Sequence, residues 1–129
     1  MAEPRFLTLA EVLEIHSDQI ERYGGSQGLR DLGLLRAAVS MPAATFGAQF
    51  LHEDLHAMAA AYLFHITQNH PFVDGNKRTG VVAALVFLNL NGIEVEASER
   101  NLEKVVLGVA EGKVKKAELA DFFRRHASK

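Results

Sequence analysis

The sequence predicts an all-α protein, a compact bundle of about six helices around a central apolar helix, in one domain spanning residues 1–129. Three observations predict it. Apolar residues recur at helical spacing in separate stretches along the chain. The stretch 81–90 is apolar on every side, as expected of a helix surrounded by protein. Strand-like alternation is confined to residues 93–97.

Bulk composition narrows the function classes. A chain of 129 residues buries roughly two-thirds of its unfolded surface and needs no staples. With 48% hydrophobic and 23% charged residues it is not a disordered chain. It has no cysteine, which excludes a disulfide framework and thiol chemistry and fits a reducing cytoplasm. A net charge of −2 provides no basic field for nucleic acid or an anionic membrane. The first residues, MAEPRFLTLAEVLEIH, carry acids and no continuous apolar core, unlike a signal peptide. The 81–90 run is too short to cross a bilayer. These features predict a soluble cytoplasmic protein with no membrane and no direct nucleic-acid partner.

The elements follow in order. Residues 8–11, TLAE, form a capping box ahead of a helix over about 8–23, with Leu9, Val12, Leu13, His16 and Ile20 on one face and Gly24-Gly25 as its stop. Asp31 caps a short second helix that buries Leu32, Leu35, Ala38 and Val39, and Pro42 ends it. Residues 42–51 have no period and read as a loop or irregular flap. A third helix covers 53–69, with Leu55, Met58, Ala59, Tyr62, Leu63 and Ile66 in its stripe. The fourth, all-apolar helix runs over about 76–91, with Gly92 at C′, and is expected to be the central one. Ser98 caps a fifth helix to about 111, burying Leu102, Val105, Val106 and Val109. A sixth, about 115–125, buries Leu119, Phe122 and Phe123.

Chemistry concentrates in residues 70–80, HPFVDGNKRTG, just ahead of the apolar helix. A glycine-containing loop feeding a helix is suited to anions, because the first helical N–H groups lack internal partners and carry the positive end of the dipole. His70 can take the proton of an attacking hydroxyl. Asp74 can hold a magnesium ion together with substrate phosphates, or cap the helix, or both. The N–H groups around Gly75, Asn76 and Lys77 would cradle a phosphate. Lys77 and Arg78 add charge, the arginine as a planar fork; the competing reading is a solvated helix face. Phe72 reads as an anchor in the core. Thr79 is open between a phosphate contact and a bond back to its own helix.

These residues resemble the signature of the Fic/Doc family, and more closely its Doc (death-on-curing) branch, HxFx(D/N)xNKR. His70, Phe72, Asp74, Asn76, Lys77 and Arg78 all match it. The Fic branch reads HPFx(D/E)GNGRxxR; Lys77 stands at its glycine and Val81 at its second arginine. IERYGG (20–25), GLRDLGLL (28–35) and FLNLNG (87–92) extend the likeness over nearly the whole chain.

The resemblance implies a Fic/Doc-like fold and a toxin of a bacterial type II toxin–antitoxin pair. It implies a Ser/Thr protein kinase that uses ATP and Mg²⁺ to phosphorylate a threonine of elongation factor Tu, inhibiting translation. His70, Asp74, Lys77 and Arg78 would be catalytic, Asp74 the metal ligand, and Gly75, Asn76, Lys77, Arg78 and Thr79 the nucleotide-phosphate contacts. The implied partner is a Phd-like antitoxin whose C-terminal segment covers the groove and motif. Adenylyl transfer, as in the Fic branch, is the alternative. The family also implies that residues 43–51 form a flap aligning the target by strand-like pairing; an ordinary surface loop is the other reading.

Two features stand apart. Residues 52–56, HEDLH, match the H-E-x-x-H zinc-hydrolase string, but five-residue strings of this kind occur by chance and the favoured reading is a polar helix start, with Glu53 and Asp54 complementing the dipole. Arg30 and Asp31 either face the motif or serve as a cap.

Overall fold

The computed structural model describes residues 3–128. The helices are α1 (Leu9–Tyr23), α2 (Leu32–Ser40), α3 (Leu55–Asn69), α4 (Asn76–Leu90), α5 (Glu99–Ala110) and α6 (Lys116–His126). Their boundaries follow local chemistry. The Thr8 hydroxyl accepts the Glu11 N–H at 3.1 Å, and the Glu11 carboxylate accepts the Thr8 N–H at 2.8 Å, completing the expected capping box. Asp31 and Ser98 cap α2 and α5 as expected. Helix α3 starts later than the sequence suggests: Asp54 sits in extended backbone and accepts the Ala57 N–H at 2.8 Å, so Glu53 lies outside the helix.

Residues 42–51 have more order than their composition signals. A short 3-10 turn, Met41–Ala43, leads into an antiparallel hairpin of β1 (Thr45–Phe46) and β2 (Gln49–Phe50). Gly47 and Ala48 both take positive φ at its tip, the handedness that matches the twist of a two-residue hairpin. The alternating stretch near residue 94 is strand β3 (Glu94–Val95), paired antiparallel with β4 (Ala127–Ser128).

The middle of the bundle belongs to α3, not α4. Met58 to Leu63, Ile66 and Thr67 are all fully buried, and α3 packs against α2, α4, α5 and α6. Its run of three alanines lets those neighbours approach closely. Helix α4 buries Ala83, Ala84, Phe87 and Leu88 against α1 and α3, but Val81, Val82, Leu85 and Val86 are only half-buried. An apolar composition permits burial on every side; neighbours must still be there to supply it. On this side α5 leaves a groove of about 650 Å³ beside α4.

Tyr62, Phe72, Phe87 and Phe123 are the bulkiest fully buried side chains. Each such burial is worth about 1.5–3 kcal/mol. Tyr62 also accepts the Leu7 N–H at 2.8 Å, drawing the segment before α1 across the core, where Phe6 stacks on Phe87. Among the described residues no helix is long and apolar enough to cross a membrane.

Candidate active site

The α3–α4 connection is over-determined by hydrogen bonds. His70 ends α3 in the left-handed region, φ 48° and ψ 54°, where non-glycine residues are uncommon. Its carbonyl accepts Arg30 Nε at 2.6 Å, and the Asn69 carbonyl accepts Arg30 Nη2 at 3.0 Å. The N–H groups of Arg30 and Asp31 both reach the Pro71 carbonyl. Arg30 is thus a backbone clamp behind the motif while Asp31 caps α2. Asn69 adds a bond from its amide to the Leu34 carbonyl. Phe72 is buried as anticipated, ring to ring with His16 at 3.8 Å between centroids and 3° between planes.

Asp74 is held from two directions. Its carbonyl accepts from His16 Nε2 at 2.8 Å. Its carboxylate accepts the Ser26 N–H at 3.1 Å and the Gly75 N–H at 2.8 Å. Those two backbone donors, Ser26 first, hold the exposed carboxyl below its usual range, with the Arg78 charge adding to them. Asp74 does not cap α4. Gly75 takes the cap position with φ 76°, and no side chain caps this helix. Side-chain oxygens cap α1, α2, α3 and α5. The α4 N-terminus, with its unpartnered first-turn N–H groups, is left for something else.

His70, Asp74, Gly75, Asn76, Lys77 and Arg78 line one opening of about 230 Å³, together with Val73. Lys77 is exposed, and among the described residues no carboxylate forms an ion pair with it. Arg78 donates to the Gly24 carbonyl at 2.8 Å and lies 6.0 Å from the Tyr23 ring centroid. Two glycines make the close packing possible. A Cβ on Gly25 would sit 2.7 Å from Asp74 Oδ2, and one on Gly75 2.9 Å from Ile20 Cδ1.

One of the anticipated phosphate contacts is altered by the fold. The Asn76 side chain is committed to Phe72, accepting its N–H at 2.9 Å and donating to its carbonyl at 3.0 Å, which leaves the expected role to its backbone N–H. Thr79 is fully buried, away from the opening, and its hydroxyl has no partner. Its burial takes it out of reach of a ligand in the opening, and the bond back to its helix is not made. Its position on α4 turns it to the core, one residue past Arg78.

Lys77 and Arg78 also border the 650 Å³ groove between α4 and α5. Its floor includes Val81, Leu85, Leu102 and Val106, and its rim Glu99, Arg100, Glu103 and Lys104. The sequence signals both helices but not the gap between them.

The HEDLH string does not form a metal centre. His52 is buried before α3 begins, and Glu53 pairs with Arg124 at 3.2 Å. Among the described residues no three metal-ligating side chains converge. Three contributions carry no local sequence signal: the close approach of Gly25 to Asp74, the Ser26 N–H and the role of His16. Helical spacing marked His16 as inward-facing, but its partners lie 56 to 58 residues away, in Phe72 and Asp74.

The sequence model of the Fic/DOC family matches residues 6–88. The chain is 34% identical over 121 residues to "Protein kinase doc" of Escherichia phage P1, covering 94% of each chain. It is 45% identical over 75 residues to "Toxin Doc" of Mycolicibacterium smegmatis, covering 58% of each. The matched span contains the whole opening and the loops that brace it, and the protein belongs to the Fic/DOC family, in its Doc branch.

Proposed function

We propose that this protein is the toxin of a bacterial type II toxin–antitoxin pair and acts as a protein kinase. It would move the γ-phosphate of ATP to a threonine hydroxyl of elongation factor Tu and so arrest translation. The observation that carries this reading is the opening itself: a candidate base, an ionised carboxylate and two cations at a helix N-terminus that no side chain caps. The names of the two relatives, a protein kinase and a toxin, support it.

The residues divide the work by chemistry. His70 takes the proton as the hydroxyl oxygen attacks, worth about 100- to 10,000-fold in rate. The new O–P bond forms while the bond from phosphorus to the β–γ bridging oxygen breaks, and ADP departs. The N–H groups at the start of α4, with Lys77 and Arg78, stabilise charge on the phosphoryl oxygens. Asp74 fits a magnesium ion: it is ionised, exposed and takes one N–H per oxygen, leaving lone pairs free. One carboxylate plus substrate phosphates is an ordinary Mg²⁺ set, and the ion would neutralise phosphate charge. Positioning and charge are most of what phosphoryl transfer requires.

Adenylyl transfer is the competing reading. Val81, half-buried on the groove side, has no charge for the two terminal phosphates that must leave as pyrophosphate in that reaction. The apolar groove bordered by both cations suits an amphipathic helix, and we assign it to the C-terminal segment of a Phd-like antitoxin. The flap hairpin, with Phe46 exposed at its end, would align the target backbone.

Incubating the protein with elongation factor Tu and ATP labelled at either the γ or the α position tests the assignment. Label from the γ position alone, lost in His70→Ala, is the expected result. Label from the α position alone would replace the kinase with an adenylyltransferase.

A further inference from the structure

We infer that His16, on α1, is a positioning residue for Asp74, clamping the α3–α4 connection so that its carboxylate points into the opening. The inference rests on the metal-holding role given to Asp74 above. His16 is 4% exposed and makes two different contacts with one short turn. Its ring lies flat on Phe72, and its Nε2 reaches the Asp74 carbonyl at 2.8 Å. The two contacts bracket the exposed Val73, whose N–H is held by the Gly28 carbonyl at 3.1 Å, so His16 grips both ends of the turn.

The chemistry of the bond is one-directional. A carbonyl oxygen only accepts, so Nε2 must carry the proton, whatever the state of the other ring nitrogen. The stack on Phe72 fixes the ring plane and hence the direction of that N–H. The backbone beyond Asp74 also rests on this face of α1: a Cβ at Gly75 would lie 3.7 Å from His16 Cδ2 and 2.9 Å from Ile20 Cδ1. With the Asp74 backbone pinned on its α1 side, its carboxylate is presented to the Ser26 and Gly75 N–H groups, which set its rotamer. Metal ligands are commonly oriented by such supporting bonds, and losing one typically weakens metal binding 10- to 100-fold.

Ring and donor can be separated by substitution. His16→Phe keeps the stacking and loses the donor; His16→Leu loses both; His16→Gln keeps a donor of similar reach and loses the ring. The first measurement is amide hydrogen exchange of the nucleotide-free protein. We expect Ser26 and Gly75 to exchange about tenfold faster in His16→Phe and His16→Leu, with His16→Gln near wild type and α5 unchanged in all. The second is calorimetric ATP binding against Mg²⁺ concentration. The donor-less variants should need about tenfold more Mg²⁺ for the same affinity, with metal-free ATP binding unaltered.

Unchanged exchange at Ser26 and Gly75 in both donor-less variants would overturn the inference. So would equal effects in His16→Gln and His16→Phe, or faster exchange along the whole chain, which would make His16 a general packing residue. A flat Mg²⁺ dependence in every protein, with the site-confined exchange difference intact, would uphold the clamp and remove the metal role of Asp74. If His16→Leu does not fold, His16→Phe still decides the question.

Discussion

The side chain of Asn76 closes a two-way hydrogen bond with the backbone of Phe72, accepting its N–H at 2.9 Å and donating to its carbonyl at 3.0 Å. The first residue of α4 therefore holds the turn that precedes it, and the turn holds His70 and Asp74. Both Asn76 groups are used, and the contact is partly buried. Asn76→Asp keeps the acceptor but sets a carboxylate oxygen against the Phe72 carbonyl. It should lower stability by about 1–3 kcal/mol in chemical denaturation and abolish label transfer. Asn76→Asp with wild-type stability would show that the turn does not depend on this pair.

Gly25 and Gly24 offer a matched comparison in one loop. Both have positive φ, but only Gly25 faces Asp74, where an added Cβ would sit 2.7 Å from Oδ2; at Gly24 nothing lies within 4 Å. Gly24→Ala should cost about 1–3 kcal/mol of backbone strain and leave transfer activity largely intact. Gly25→Ala should carry the same strain and also displace the Asp74 carboxylate, with at least a tenfold loss of activity in the phosphoryl-transfer assay.

Acid sensitivity should arise at His65, which does not line the opening. Burial first, then the charge of Lys116, whose Nζ lies 3.0 Å from His65 Nε2, and then that of His52, press its pKa down to about 4. The unfolded chain would bind that proton near pH 6.5. The folded pKa is the lower one, so this contribution to stability is fully present above about pH 6.5 and is lost as pH falls through about 4. His65→Gln should flatten the fall in melting temperature over that window. Identical pH profiles for wild type and variant would exclude His65 as the source.

Leu107 is about half exposed on the wall of the α4–α5 groove, outside the opening that holds His70. Leu107→Glu should weaken binding of the antitoxin's C-terminal segment at least tenfold in calorimetry while phosphoryl transfer is retained. Unaltered antitoxin affinity would place that segment elsewhere.

How much was legible beforehand depended on the range of the interaction. The helix caps were readable because donor and acceptor lie within four residues: Thr8 with Glu11, Asp31 with Leu34, Ser98 with Asn101. The hairpin at residues 45–50 leaves no strand signal in the sequence, because each arm has only two residues, too few to alternate. The all-round apolar composition of α4 points to it as the central helix. Composition records how much a helix can bury, whereas α3 is central because four other helices surround it.

The pattern His70, Phe72, Asp74, Asn76, Lys77, Arg78 is enough to identify the family and to put a base, a carboxylate and two cations in nine residues. Side-chain type and short spacing carry that information in one dimension. Which of those groups faces the opening is a property of three. Helical geometry aims Lys77 and Arg78 outward and buries Thr79, and the Asn76 side chain is consumed by the turn. Arg30, Ser26 and His16 join the site from 40 to 58 residues away. No local pattern signals such partners, because chain separation and spatial separation become independent once helices pack.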